Sequence, residues 1–423
     1  MKTFIILLSL IFFCGTSYSQ QGGWFTQTSG TTNYLYWAHF VSNSTGWVVG
    51  QNGTILKTTN GGLNWLQQVS GHTGFFYSIF FISESTGWAV GQGGTIRKTT
   101  NAGVNWISQT SGFTANYLYS VFFTDVNTGY IVGSGGLILK TTNGGGNWSQ
   151  QPSGVTNTIS CVYFPPSATS MTGFASGGSA SSGIILKTSN AGLSWSSQSV
   201  GTNWLFGIYF VSIGSGWAVG FNGTIYATTD MGSTWFPQSS GITDRLVAVS
   251  FPNSDTGYAV GYAGKIVKTT NGGANWLLQT SPTTNNLWGV YFTNVNTGWA
   301  AGWNGTILHT TNGGVTYVQK ISSEVPSSYK LYQNYPNPFN PGTRIRFEVP
   351  HNKGGERGLY VTLRVYDMLG KEIEVLINEL LAPGTYEIRW AAANTPSGVY
   401  FCRLSATGRA GDYSETRKIV LLK

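Results

Sequence analysis

The chain has 423 residues, 9% of them charged and 14% aromatic, with 58 glycines, 3 cysteines and a formal net charge of +8. That length holds two or three domains. The positive charge forms no dense basic tract, which argues against nucleic acid as a partner, and the cysteines are too few for a disulfide scaffold.

Residues 1–19 read as an export signal. Lys2 gives the positive start, Thr3–Cys14 (TFIILLSLIFFC) the apolar run, and the small residues Ser17 and Ser19 suit cleavage after Ser19. A spanning helix needs roughly 18 to 20 apolar residues. This run and every other stretch fall short of that, so no transmembrane segment is expected after signal removal. Bulky Phe13 disfavours a lipoprotein reading at Cys14. The two remaining cysteines, Cys161 and Cys402, are expected as buried, unpaired thiols.

Residues 20–320 carry an internal repeat. A Gly-aromatic pair recurs at Gly46-Trp47, Gly87-Trp88, Gly129-Tyr130, Gly173-Phe174, Gly216-Trp217, Gly257-Tyr258 and Gly298-Trp299, at spacings of 41 to 44 residues. Four short strands and their turns need about 40 to 45 residues, so seven copies predict a seven-bladed β-propeller. In the second copy FYSIFFI (Phe76–Ile82) is the innermost strand a and WAVG (Trp88–Gly91) strand b. TIRKT (Thr95–Thr99) follows as c and WISQT (Trp106–Thr110) as the outer strand d. The third position of strand a is small in six copies, from Ser78 to Gly289, as the taper toward the axis requires; Trp37 is the exception. An eighth outer-strand candidate, Gly22–Gly30 (GGWFTQTSG), competes with VTYVQ (Val315–Gln319) for blade seven. Trp24–Gln27 is expected to close the ring, with the later copy displaced or additional.

The c–d hairpins share one spelling: TTNGGLNW in the first copy, TTDMGSTW (Thr228–Trp235) in the fifth. The Asn or Asp at Asn60, Asn101, Asn143, Asn190, Asp230, Asn271 and Asn312 is expected to bond nearby backbone N–H groups and fix the hairpin. The fifth copy fits the Asp box best known from sialidases, but a sevenfold hairpin is architecture. Residues 21–320 hold two arginines, too few for the sialidase triad. They hold five acids, Glu84, Asp125, Asp230, Asp244 and Asp255, of which four fall in a–b turns or in the Asp box itself. A glycosidase needs two carboxylates roughly 5 to 10 Å apart across one sugar bond. No GxSxG, HExxH or CxxC occurs and the four histidines lack ligand spacing, so no catalytic residue, metal or cofactor is expected. Lysine precedes five of the seven hairpins, Lys57, Lys98, Lys140, Lys187 and Lys268. It serves either a packed strand position or a ring for polyanions.

Positions that vary while the frame stays fixed are free for recognition. The b–c loops supply Gln51, Gln92, Ser134, Gly178, Phe221, Tyr262 and Trp303 at one such position, and the d–a loops add His72, Trp204, Asp244, Arg245 and Trp288. Both loop sets share the entrance face of a propeller. Trp204, Arg245, Tyr262, Trp288 and Trp303 are the candidate ligand-binding residues, suited to a sugar ring or a protein hot spot.

Near residue 320 the charged fraction rises from about 5% to about 22%. After a linker at 321–329, residues 330–423 alternate short strands with Pro, Gly and Asn turns, which reads as a small immunoglobulin-like β-sandwich. The fold class is therefore all-β, a seven-bladed propeller followed by that sandwich.

Two resemblances cover most of the chain. The repeat GWAVGxxGTIxKTTNGGxNWxxQxSG resembles the propellers of photosystem II assembly factors, related to the Asp-box (BNR) families. This implies the fold and leaves the ligand open. QNYPNPFNP, VYDMLGKE, SGVYF and the final KIVLLK resemble the type A C-terminal sorting domain of the type IX secretion system. That resemblance implies Sec export, passage through the type IX machinery as a partner, and a secreted, extracellular or outer-membrane surface location. A surface propeller binding a protein or glycan is the expected function; an extracellular glycoside hydrolase of sialidase or polysaccharide-degrading type is the alternative.

Overall fold

The computed structural model describes residues 23–166, 171–314, 318–351, 359–392, 395–407 and 412–422. The expected signal at 1–19 lies outside the described residues. The described residues form strands joined by turns, four of which make a single 3₁₀ turn, and no helix is long and apolar enough to cross a membrane.

Seven four-stranded antiparallel sheets make a propeller. The second blade runs Phe76–Phe81, Gly87–Gly91, Ile96–Thr99 and Ile107–Gln109 as strands a to d, within one or two residues of the sequence reading. Strand b is buried throughout in every described copy of the form Gly87–Gly91, while the outer strand is exposed.

The Gly-aromatic pair has a packing cause. The ring of strand b stacks face to face on the last Phe of strand a in the next blade: Trp47 on Phe81, Trp88 on Phe123, Trp217 on Phe251, with centroids 3.5 to 3.6 Å apart. Trp299 lies on Phe40 in the same way, joining blade seven to blade one. The glycine beside each aromatic makes room for its own blade's Phe. A Cβ on Gly46 would lie 2.3 Å from the Phe40 ring. Each such buried aromatic contributes about 1.5–3 kcal/mol by the area it removes from water.

Trp37 stands where the other blades carry a small residue. Its half-buried side chain packs against two clusters, one holding Ala248, Leu287 and Val290, the other Phe76 and Ile79. The Gly289 backbone closes on its Cα, where a Cβ would come within 2.9 Å. One large ring thus serves several blades where six small residues leave space near the axis.

The ring closes through the N-terminus. Phe25–Gln27 pairs with Ile307–His309 as the outer strand of blade seven. Trp24 meets Phe292 edge-on at 5.7 Å, as Trp65 meets Phe40. The Gly23 N–H donates to Asn312 Oδ1, as the Asn64 N–H donates to Asn60 Oδ1. Gly23 to Gln27 therefore take the whole slot that the last copy could have filled.

The displaced copy enters the other sheet system. Val318–Ser322 pairs with residues Thr385–Ile388 of the strand Gly384–Ala391, followed outward by Gly342–Val349 and Lys330–Leu331. The boundary expected at residue 320 thus falls inside a strand, and the exposed link between strands narrows to Ser323–Tyr329. A second sheet, in the order Glu372–Leu381, Leu359–Tyr366, Gly398–Thr407, Tyr413–Leu421, completes a β-sandwich. Its core joins Phe347, Ile388 and Trp390 of one sheet to Val365, Cys402 and Leu404 of the other. Cys161 and Cys402 are both buried and unpaired.

The QNYPNPFNP segment anchors the C-terminal strand. Phe339 is 2% exposed; its N–H donates to Val420 O and its carbonyl accepts from Leu422 N. Asn337 Oδ1 accepts the Val420 N–H, and buried Asn334 holds Thr343 Oγ1 and Pro336 O.

Candidate functional site

The propeller has two unlike faces. On one, the b–c turn of every blade but the fourth bonds the d–a loop that leads into its own blade, as Phe221 N–H to Trp204 O, Tyr262 N–H to Arg245 O and Trp303 N–H to Asn286 O, all 2.9 or 3.0 Å. The approach to the following loop is close enough to demand glycine. Gly264 has φ +69°, and a Cβ there would meet Thr283 O at 1.9 Å. On the opposite face the a–b turns bond the c–d hairpins, as Gly144 N–H to Asn127 O and Gly272 N–H to Asp255 O.

The c–d hairpins are inter-blade fasteners. Within the third, Thr141 Oγ1 donates to Asn143 Oδ1 and accepts from Gly145 N–H, and Asn143 Oδ1 also accepts the Asn147 N–H. The Gly144 carbonyl at its tip accepts three donors from the preceding blade: Trp88 Nε1 at 3.3 Å, Lys98 Nζ at 2.8 Å and Gln109 Nε2 at 3.2 Å. Lys140, Lys187 and Lys268 likewise donate to Ala191, Met231 and Gly313 carbonyls. Four of the five lysines thus reach neighbouring backbone carbonyls and Lys57 lies over the Trp47 ring at 5.4 Å, which favours the packed reading over a ring for polyanions. Burial pushes the Lys98 and Lys140 ammonium pKa values down. Asp230 keeps the hairpin role with Asp in place of Asn. Hydrogen bonds from the Thr234 hydroxyl and N–H hold its carboxyl down at about 2.

The acids do not converge. Glu84, Asp125 and Asp255 are exposed in a–b turns, where Asp125 accepts the Asn127 and Thr128 N–H groups. Asp244 lines a groove with Tyr226, Pro237 and Lys265. Among the described residues no group of three or more His, Cys, Asp or Glu side chains is placed to hold a metal.

On the entrance face the five sequence-predicted residues fall into one belt. Tyr262 lies 5.9 Å from Trp288 and 6.2 Å from Trp303, and Trp288 and Trp303 are near-parallel at 6.4 Å. The Arg245 guanidinium sits over Phe221 at 3.8 Å, Tyr262 at 4.4 Å and Phe206 at 5.0 Å, and Nη1 donates to Tyr262 Oη at 2.8 Å. Trp204 joins through Phe206, 5.0 Å away, and donates its Nε1 to Ser160 Oγ. The predicted rings are half-buried rather than fully exposed, because they stack on one another.

The belt extends further than the sequence reading. Trp303 stacks on Tyr34 at 4.7 Å, Trp288 meets Tyr36, and Tyr36 leads through Tyr77 to Tyr119. Burial raises the Tyr36 phenol to about 12 and the Tyr77 phenol higher still, so both stay neutral. The missed rings carry a signal: together with the predicted Trp204 they flank the first buried residue of strand a at alternate positions, Tyr34 and Tyr36, Phe75 and Tyr77, Tyr117 and Tyr119, Trp204 and Phe206. Blade four interrupts the belt. Thr158 and Ser160 stand in the aromatic places, and strands Gly173–Ser179 and Ser182–Thr188 extend into a raised hairpin paired to Ser179–Ser182.

A β-propeller joined to a C-terminal β-sandwich defines the class, and the comparisons place it. The family described as Photosynthesis system II assembly factor YCF48 matches residues 17–111, 109–204 and 201–281. The chain belongs to that family. Residues 333–421 match the Secretion system C-terminal sorting domain. Among solved structures, YCF48 from Cyanidioschyzon merolae aligns at 20% identity and TM-score 0.58, over 68% of this chain and 98% of that one. A structure described as YCF48 bound to D1 peptide aligns at 20% and 0.58, over 69% and 95%. The WD40 propeller domain of Doa1 aligns at 14% and 0.54, over 69% and 96%. At these identities the likeness is one of fold. No curated protein matches the chain.

Proposed function

We propose that this protein is a binding module of the cell exterior, exported through its type IX sorting domain, which captures a protein or glycan on the entrance face of its propeller. The observation that carries the reading is the belt running from Trp204 through Arg245, Tyr262, Trp288 and Trp303 to Tyr119. Large rings grouped around a single arginine are the composition of binding hot spots. A propeller of the same family is described as bound to a peptide, which is in keeping with a capture role. Against hydrolysis, the acids stand apart from the belt, in a–b turns, in the fifth c–d hairpin and at the Asp244 groove.

The test combines Trp288→Ala with Trp303→Ala in the intact secreted chain. Capture on glycan and surface-protein arrays is measured beside Tm and a hydrolysis screen. Capture should be lost in a protein that still unfolds cooperatively, and no substrate should be turned over. Unchanged capture would refute the binding face, and turnover would refute the non-enzymatic reading. For export, truncation should begin at Val318, since Val318–Ser322 belongs to the sandwich. Normal surface display of that truncated chain would overturn the route.

A further inference from the structure

Arg245 occupies an aromatic place. In blades one, two, three and five the residue before the first buried position of strand a is Tyr34, Phe75, Tyr117 and Trp204; in blade six it is Arg245. Two residues on, where those blades carry Tyr36, Tyr77, Tyr119 and Phe206, blade six has the smaller Val247, 7% exposed.

The guanidinium lies among three rings. Phe221 at 3.8 Å and Tyr262 at 4.4 Å draw on its π faces, with Phe206 near at 5.0 Å. Its Nη1 donates to Tyr262 Oη, and it forms no ion pair with any described carboxylate. A guanidinium carries five N–H donors in one plane, and that fork matches a planar carboxylate. Burial lowers its pKa from the usual range, yet an arginine stays charged, so the site holds an uncompensated cation among apolar rings.

The entrance-face loops carry amides as well as rings. Asn222 Nδ2 donates to Asn203 Oδ1, and Asn304 Nδ2 to Asn285 Oδ1, on the same loops as Phe221 and Trp303. Rings with amide side chains suit hydroxyl-rich rings, and one arginine fork suits a single acid group on such a ring. Asp244, the neighbouring acid, lines a different groove with Lys265.

We propose that the Arg245 cage is the carboxylate subsite of a platform for acidic glycans, gripping the acid group of a uronic or sialic sugar whose neighbours lie along Tyr262, Trp288 and Trp303. This rests on the entrance-face reading above and narrows it from protein or glycan to one ligand class.

The intact chain is placed on an array of uronate-bearing, sialylated, sulfated and neutral glycans beside acidic peptides. The best acidic hit is then titrated against its methyl ester. The carboxylate form should bind roughly 10-fold or more tightly than the ester, the scale of a charge-assisted hydrogen bond. Arg245→Gln should bring the two within about twofold, and Arg245→Lys should recover only part of the preference because it lacks the fork. Tm measured alongside separates lost charge from lost fold. Equal binding of acid and ester, or a preference that survives Arg245→Gln, overturns the proposal. So does capture confined to sulfated glycans, neutral glycans or peptides, although the entrance-face reading then stands. Capture indifferent to Trp288→Ala with Trp303→Ala overturns both.

Discussion

The indole of Trp299 lies flat on the phenyl ring of Phe40, 3.6 Å between centroids and 12° between planes, across the seam where the last blade meets the first. Six equivalent stacks join the other blades, but this one bridges the two ends of the ring. Phe40 also meets Trp65 edge-on at 6.0 Å and is 2% exposed. Phe40→Ala should cost about 3–5 kcal/mol, the range for a buried phenylalanine. Phe40→Leu should cost less. Urea unfolding checks this, and a loss under 1 kcal/mol in Phe40→Ala would show that the seam does not hold the ring.

Closure by the N-terminal strand gives a second expectation. Gln27 Nε2 donates to Gly61 O at 2.8 Å and to His309 Nδ1 at 3.0 Å, while its Oε1 accepts Trp65 Nε1 at 3.3 Å. Gln27→Ala removes the partner of His309 Nδ1 and Trp65 Nε1, while Gly61 O still accepts Trp299 Nε1 at 3.2 Å, and should cost about 1–3 kcal/mol. Removing Gly23–Gln27 should bare the edge of Ile307–Thr310. Hydrogen exchange of those amides should accelerate far more than exchange in blade three. Uniform protection in the shortened chain would mean that another segment, Val318–Ser322 being the nearest in sequence, fills the slot.

Much of this was legible in the sequence. Seven Gly-aromatic pairs at 41 to 44 residues fixed the blade count, and GGWFTQTSG marked the strand that closes the ring. What the pairs do was not legible, because each aromatic stacks on a Phe in the next blade and the repeat alone does not say which residues meet. The lysines read as either packed or free until the carbonyls of the following hairpin were in place. Tyr36 and Tyr77 escaped notice because strand a is apolar on both faces, so rings turned to the entrance could not be told from core. Residues beyond 320 read as linker because strand pairing with Gly384–Ala391 has no local signature.

Two buried histidines set a pH dependence. His39 is 7% exposed with Nε2 3.0 Å from Phe81 O, and burial pushes its pKa down to about 4; burial does the same to His309, which lies against Trp299. Both are neutral in the folded chain, whereas in the unfolded chain they take up protons below their ordinary value near 6.5. Stability is therefore fully present above pH 6.5 and is lost as pH falls from 6.5 toward 4, by on the order of 3 kcal/mol for each histidine. The urea midpoint should be flat above pH 7 and fall between pH 6.5 and 5, before most carboxylates titrate. His39→Phe copies Phe80 and Phe122, which hold the same place in blades two and three. It should flatten part of that slope, and an unchanged slope would assign the dependence elsewhere.

Lys98 separates fastening from anion binding. Its ammonium donates to Gly144 O at 2.8 Å and sits 5.2 Å over the Trp88 ring, while Trp88 Nε1 and Gln109 Nε2 converge on the same carbonyl. Lys98→Met keeps the aliphatic stem and removes the charged donor. Two donors still reach the carbonyl, so it is not left bare, and the cost should be about 1 kcal/mol. The same substitution in Lys140 should behave alike, since Lys140 reaches Ala191 O at 2.7 Å beside the Tyr130 hydroxyl. Because these ammonium groups are engaged with backbone on the face opposite the aromatic belt, retention on a heparin column should not change. A marked drop in the salt needed for elution, with Tm unaltered, would return the lysines to the role of an anion-binding ring.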